Sequence, residues 1–212
     1  MSEQEIRNST IRLLDNTFND FIIQLSKSED FKICIANLSR EQYDQKIDQE
    51  YVLKFFAFKN NREEYRKNIA PFLTDYMEKV ADSQLDKDNN EIFDYQEEEK
   101  IFKKTFAVLN KALGENVFAR VNKKNKNFII SLSPNHFDAF TMGIQKYLDL
   151  LKPEDQPMME ELGQLLKDIK SEDEFIKVTG GGGKNTANFL RNRIEYVENK
   201  VGVWIRERGK AS

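Results

Sequence analysis

Apolar residues recur along this chain at intervals of three and four, the spacing that puts side chains on one face of an α-helix. Leu14, Phe18, Phe21, Ile22 and Leu25 form the first stripe. Ile69, Phe72, Leu73, Tyr76, Met77 and Val80 form another, and Pro71 fits a helix there only near its start. Ile101, Thr105, Val108, Leu109 and Ala112 follow, with Gly114 placed to cap their C-terminal end. Ser133-Pro134 is a helix-entry signal ahead of Phe137, Phe140, Ile144, Tyr147, Leu148 and Leu151. Met158, Leu162, Leu165, Leu166 and Ile169 predict a further helix, and Leu190, Ile194, Val197, Val201 and Trp204 the last.

One stretch departs from this alternation. Tyr51-Val-Leu-Lys-Phe-Phe-Ala-Phe58 is apolar nearly all round, with Lys54 its single charge. Such a helix, at about 50–59, belongs at the centre of a fold, contacted from several sides. A strand is the competing reading, but Asp48 and Glu50 suit the first turn of a helix, where the dipole favours acids. Between 117 and 131, Phe118, Val121, Phe128 and Ile130 flank a polar Asn/Lys turn and predict one short β-hairpin. The whole pattern predicts an all-α protein: an irregular multi-helix bundle in a single helical domain over 1–212. An acidic linker at about 82–95 and a flexible Gly-rich joint at 180–183, ahead of the final helix, interrupt it.

Composition supports a folded core. With 212 residues and 16 phenylalanines, the chain carries enough apolar surface to offset the entropy of ordering. The net charge of -3 gives no global attraction to nucleic acid or acidic lipid, so any such contact must be local. Cys34 is the single cysteine and sits in an apolar helical context, which points to packing; nucleophilic use needs a base, and the single histidine, His136, is distant in sequence. No apolar run is long enough to span a membrane, and the polar start Met1-Ser-Glu-Gln-Glu is unlike a signal peptide; a cytoplasmic location is expected.

Two stretches imitate ligand sites. Asp86, Asp88, Asn90, Asp94 and Glu97 occupy calcium-loop spacing, but Glu91 stands where the sharp turn needs Gly. Val178-Thr-Gly180-Gly-Gly-Gly183-Lys184-Asn185-Thr186 has the look of a phosphate loop, but Val178 replaces its first Gly and Asn185 its Ser or Thr. A solvated linker and a flexible joint are the preferred readings. No catalytic triad or metal-ligand spacing appears, and no cofactor is expected.

Several segments taken together carry a resemblance. They are Glu3-Gln-Glu-Ile-Arg7-Asn8, Phe18-Asn-Asp-Phe21, Asp48-Gln-Glu50-Tyr-Val-Leu-Lys54-Phe-Phe-Ala-Phe58, Phe72-Leu-Thr-Asp-Tyr76-Met77, Leu113-Gly-Glu-Asn-Val-Phe118 and Arg191-Asn-Arg193-Ile194. In order and spacing, from about Glu3 to Val201, the chain resembles the helical C-terminal part of the ParB-like, GmrSD-type restriction endonucleases, a family linked to defence against modified or foreign DNA. Lys54 stands where that family usually has Arg. The resemblance implies an NTP-dependent nuclease only in the full-length context, because the Asp-Gly-Gln-Gln-Arg motif of the ParB-like catalytic half has no counterpart in this sequence. No catalytic residue carries over to any position here.

The expectation is therefore a non-catalytic helical lobe that packs against a ParB-like nucleotide-dependent half or subunit. DNA is the further candidate partner, with Lys123, Lys124, Lys126, Lys184, Arg191 and Arg193 as candidates for phosphate contact. Arg7, Asp48 and Glu50 read as structural polar residues, the two acids serving as helix-start groups or as partners of buried bases such as Arg7. The alternatives are a protein-interaction module with no nucleic-acid role and a calcium-binding loop at 86–97.

Overall fold

A computed structural model describes residues 2–11, 16–83, 93–122 and 124–211. Helices α1 (Glu3–Ile11), α2 (Asn16–Leu25), α3 (Glu29–Cys34), α4 (Arg40–Asp44), α5 (Ile47–Asn61), α6 (Ile69–Ser83) and α7 (Tyr95–Leu113) come first. Strands β1 (Arg120–Val121) and β2 (Phe128–Ile129) follow, then α8 (Pro134–Gly143), α9 (Gln156–Ile169), α10 (Asp173–Thr179) and α11 (Ala187–Ala211). The described residues are all-α apart from this antiparallel pair, in which Arg120 faces Ile129 and Val121 faces Phe128.

Local chemistry sets several of the helix ends. Ser39 and Gln42 form a reciprocal capping box on α4. Asp94 accepts from the amides of Gln96 and Glu97 at the start of α7, and Asp155 from that of Met158 at the start of α9. α7 stops at Gly114, whose φ of 53° suits a residue without a Cβ. Asp94 is thus a helix cap, while Asp86, Asp88 and Asn90 lie outside the described residues.

α5 is the centre, as its composition predicts. Every side chain from Tyr51 to Phe58 is buried. Phe55 and Phe56 meet Phe102 of α7, with ring centroids 5.3 and 5.6 Å apart. Phe93 packs on Phe18 of α2, with ring centroids 5.1 Å apart. Cys34 is buried beside the Phe106 carbonyl, and burial pushes its thiol pKa up, away from thiolate chemistry.

The stripe from Phe137 to Leu151 does not form one helix. α8 ends at Gly143, and Gln145–Leu150 tightens into a 3₁₀ turn. α8 and α11 make the most extensive helix contact of the fold. At Gly143 a Cβ would lie 2.6 Å from that of Val197, so only glycine lets α11 approach so closely. Apolar spacing carries no record of that approach. The hairpin is also shorter than its pattern, because Val117 and Phe118 turn inward and are buried.

α9 sits equally tightly on α7. A Cβ at Gly163 would meet the Ala112 carbonyl oxygen at 2.2 Å, whereas one at Gly182 meets nothing within 4 Å. Gly163→Ala should therefore cost roughly 1–3 kcal/mol in urea unfolding, as overpacking does. Gly182→Ala should leave the midpoint nearly unchanged.

Candidate functional site: a charged cavity walled by α5, α8 and α11

A cavity of about 740 Å³ opens beside the central helix, lined among others by Tyr51, Lys54, Tyr65, Asn135, Asp138 and Arg193. Lys54 projects from α5, where nothing else is charged between Tyr51 and Phe58. Its Nζ lies 2.6 Å from Asp138 Oδ1 of α8 and 5.5 Å from the Phe58 ring centroid. Both charges are almost wholly enclosed. Removing one partner of such a pair leaves the other desolvated and uncompensated, which costs about 3–5 kcal/mol.

Arg193 of α11 completes the floor at 1% exposure. Its guanidinium donates to the side-chain oxygen of Asn135 and, at 2.9 Å, to the carbonyl of Lys184. The nearest Asp138 oxygen is 3.8 Å away, and Nε has no hydrogen-bond partner among the described residues. Burial lowers its pKa, a measure of how poorly the charge is solvated. Asn135 in turn donates to the Thr179 carbonyl, and the Tyr65 hydroxyl donates to that of Asn185. These contacts pin both ends of the Gly180–Gly183 segment to the cavity wall.

α1 closes one side. Ser2 and Glu5 bond reciprocally at its start. Arg7, 5% exposed, pairs with Glu50 of α5 and takes Gln4 Oε1 at 3.0 Å, while Asn8 donates to Gln49 at 2.7 Å. Asp48 lies in the first turn of α5, half-buried, with a pKa raised by that burial. Arg7 and Glu50 are thus paired with each other, and Asp48 opens α5. An apolar groove of about 430 Å³ runs alongside, between α1 and α6, with Ile6, Pro71 and Met77 in its walls.

The candidate phosphate contacts do not converge. Lys124 and Lys126 are exposed on the hairpin turn, and Lys123 lies outside the described residues. Lys184 is half-buried with its Nζ 4.1 Å from the Phe189 ring centroid. Arg191 is exposed in a groove that it shares with Glu195 and Glu198. Arg193 points away from the surface and into the floor.

His136 is a core residue in the first turn of α8. Its Nδ1 lies 3.1 Å from the Ala119 carbonyl, so Nδ1 carries the proton. Burial, then the nearby Lys170, push its pKa down to about 3. Lys170 is itself buried with no carboxylate partner among the described residues, donating to the Asn116 carbonyl at 2.6 Å beneath the Phe128 and Phe140 rings; burial holds its pKa well below the usual lysine value. Among the described residues no group of His, Cys, Asp and Glu side chains is arranged to hold a metal, and no helix is long and apolar enough to cross a membrane.

Asp138, Asn135 and Tyr65 were not singled out from sequence. The signal for Asp138 was present: it is the lone acid in the apolar run His136–Gly143, as Lys54 is the lone base in its own. Comparison of the chain with protein-family models, curated proteins and solved structures yields no match.

His136 gives this region a pH signature. In the unfolded chain it takes up a proton near 6.5, but the folded protein resists until about 3. The contribution of His136 to stability is therefore complete above about pH 6.5 and declines below it, by up to about 1.4 kcal/mol per unit. Urea midpoints between pH 7.5 and 5.5 should fall for the natural protein and fall less for His136→Asn.

Proposed function

We propose that this chain is the non-catalytic helical lobe of a modification-dependent, defence-type DNA enzyme, and that it holds a ParB-like nucleotide-dependent half. The supporting observation is convergence. Arg7, Glu50, Lys54, Phe58, Met77 and Arg193, which belong to the segments that carry the resemblance, all border the cavity or the groove beside it, or pair with a group that does. Residues far apart in sequence thus meet around one cavity and the groove beside it, most of them buried. Ile6, 51% exposed in the groove wall, supplies apolar area at its edge. The nucleotide chemistry would reside on the partner half.

A second reading, a protein-interaction module without a DNA role, is favoured by the scatter of the basic residues. A phosphate-tracking surface gathers its cations on one face. Here Arg193 is enclosed, Lys184 lies on an aromatic ring and Arg191 has acidic neighbours.

Calorimetric titration of the chain with a ParB-like half bearing Asp-Gly-Gln-Gln-Arg should give a one-to-one complex, weakened about tenfold or more by Ile6→Asp. Heat no greater than that of dilution, with or without nucleotide, would remove the docking role. Duplex DNA anisotropy across a salt series separates the two readings. If DNA is contacted, reversing Lys124, Lys126, Lys184 and Arg191 to Glu should lower affinity and flatten the salt slope, by about 0.9 per lost phosphate contact. An unchanged isotherm leaves the interaction module.

A further inference from the structure

We propose that the cavity walled by α5, α8 and α11 is a binding site for a small ligand bearing an oxyanion, a phosphate or carboxylate group, which Arg193 and Lys67 receive. A volume of about 740 Å³ lies within the range of small-molecule sites, about 300–1,000 Å³. Its walls combine aromatic faces from Tyr51, Phe58 and Tyr65 with many charged and amide side chains, a lining that suits a polar ligand.

The charge balance selects the ligand. Three acids border the cavity: Glu3, Glu50 and Asp138. Arg7 engages the first two, and Asp138 sits on Lys54. That leaves Arg193 and Lys67 without a close carboxylate. Arg193 makes do with an amide oxygen and a carbonyl, its approach to Asp138 being 3.8 Å. Lys67 is exposed at the rim and has no ion pair among the described residues. A guanidinium buried with neutral acceptors is poorly solvated, and its planar fork suits a two-oxygen anion better than any other group. Pro134 and Asn135, the first residues of α8, also line the cavity, so the positive end of that helix faces the same space. Each feature favours negative charge, and none depends on which macromolecule the chain docks.

Inorganic phosphate and sodium acetate, titrated into the full chain at constant ionic strength and followed by calorimetry and amide chemical shifts, test the site. One saturable equivalent of either probe is expected, with shifts at Lys54, Lys67, Asn135 and Arg193. Saturation by phosphate alone identifies a phosphate-bearing ligand, and by acetate alone a carboxylate. Lys67→Ala, at the exposed rim, should weaken binding about fivefold to tenfold, while Lys126→Ala on the hairpin should not. Asp138→Asn should tighten it by removing the opposing charge. Should Asp138→Asn fail to fold, as circular dichroism would reveal, the Lys67 and Lys126 variants still decide. Non-saturable binding of both probes, or equal effects of Lys67→Ala and Lys126→Ala, overturns the site. A failed complex with the ParB-like half leaves it untouched.

Discussion

An ammonium group on a helix that is apolar on every side has only two outcomes during folding: it finds an anion, or it keeps the helix from the core. Lys54 meets Asp138, and through that meeting α5 is held against α8 at one register. The pair adds little net stability over a well-packed apolar pair, since two desolvation penalties consume most of the Coulomb gain. Its weight lies in what its loss would leave, since removing either partner strands a lone charge in the core. The aromatic rings around it are interchangeable in chemistry; the ion pair is not. Arg193, Asn135 and Tyr65 assemble against this fixed point, and the cavity is the space they leave.

Much of this architecture is written in the spacing of apolar residues. The stripes at 69–80, 101–112, 158–169 and 190–204 all lie on helices, because each buries one face against a neighbour and a period near 3.6 is the trace of that burial. α4 and α10 have no such stripe: with five and seven residues, they are too short for a period to repeat. The break after Gly143 is illegible for a different reason. It coincides with the close approach of α11, and a residue's own sequence neighbourhood does not encode its distance to a helix fifty residues on.

The candidate site was half legible. Lys54 stood out as an anomaly, and Arg7 and Glu50 as polar groups bound for partial burial, since charges in apolar or helix-start contexts need partners. Which partner each finds depends on tertiary contact. Arg193 illustrates the limit. In sequence it belongs to a basic terminal helix and reads as surface; in the fold its face of α11 turns inward, one turn from the buried Val197. A charge count along the chain treats Arg191 and Arg193 alike, although helical geometry sends one out and the other in.

The four-glycine stretch carries a practical consequence. Asn135 grips the carbonyl just before it and Arg193 the carbonyl just after, so the strand of chain between is suspended from two fixed pegs. Gly181 and Gly183 hold positive φ, and added side chains at 181–183 would touch nothing nearby. Extra residues spliced into this span would loop outward and leave both pegs seated. A fluorophore or an affinity handle placed there would sit at the rim of the cavity without entering it, a ready vantage point from which to watch whatever goes in.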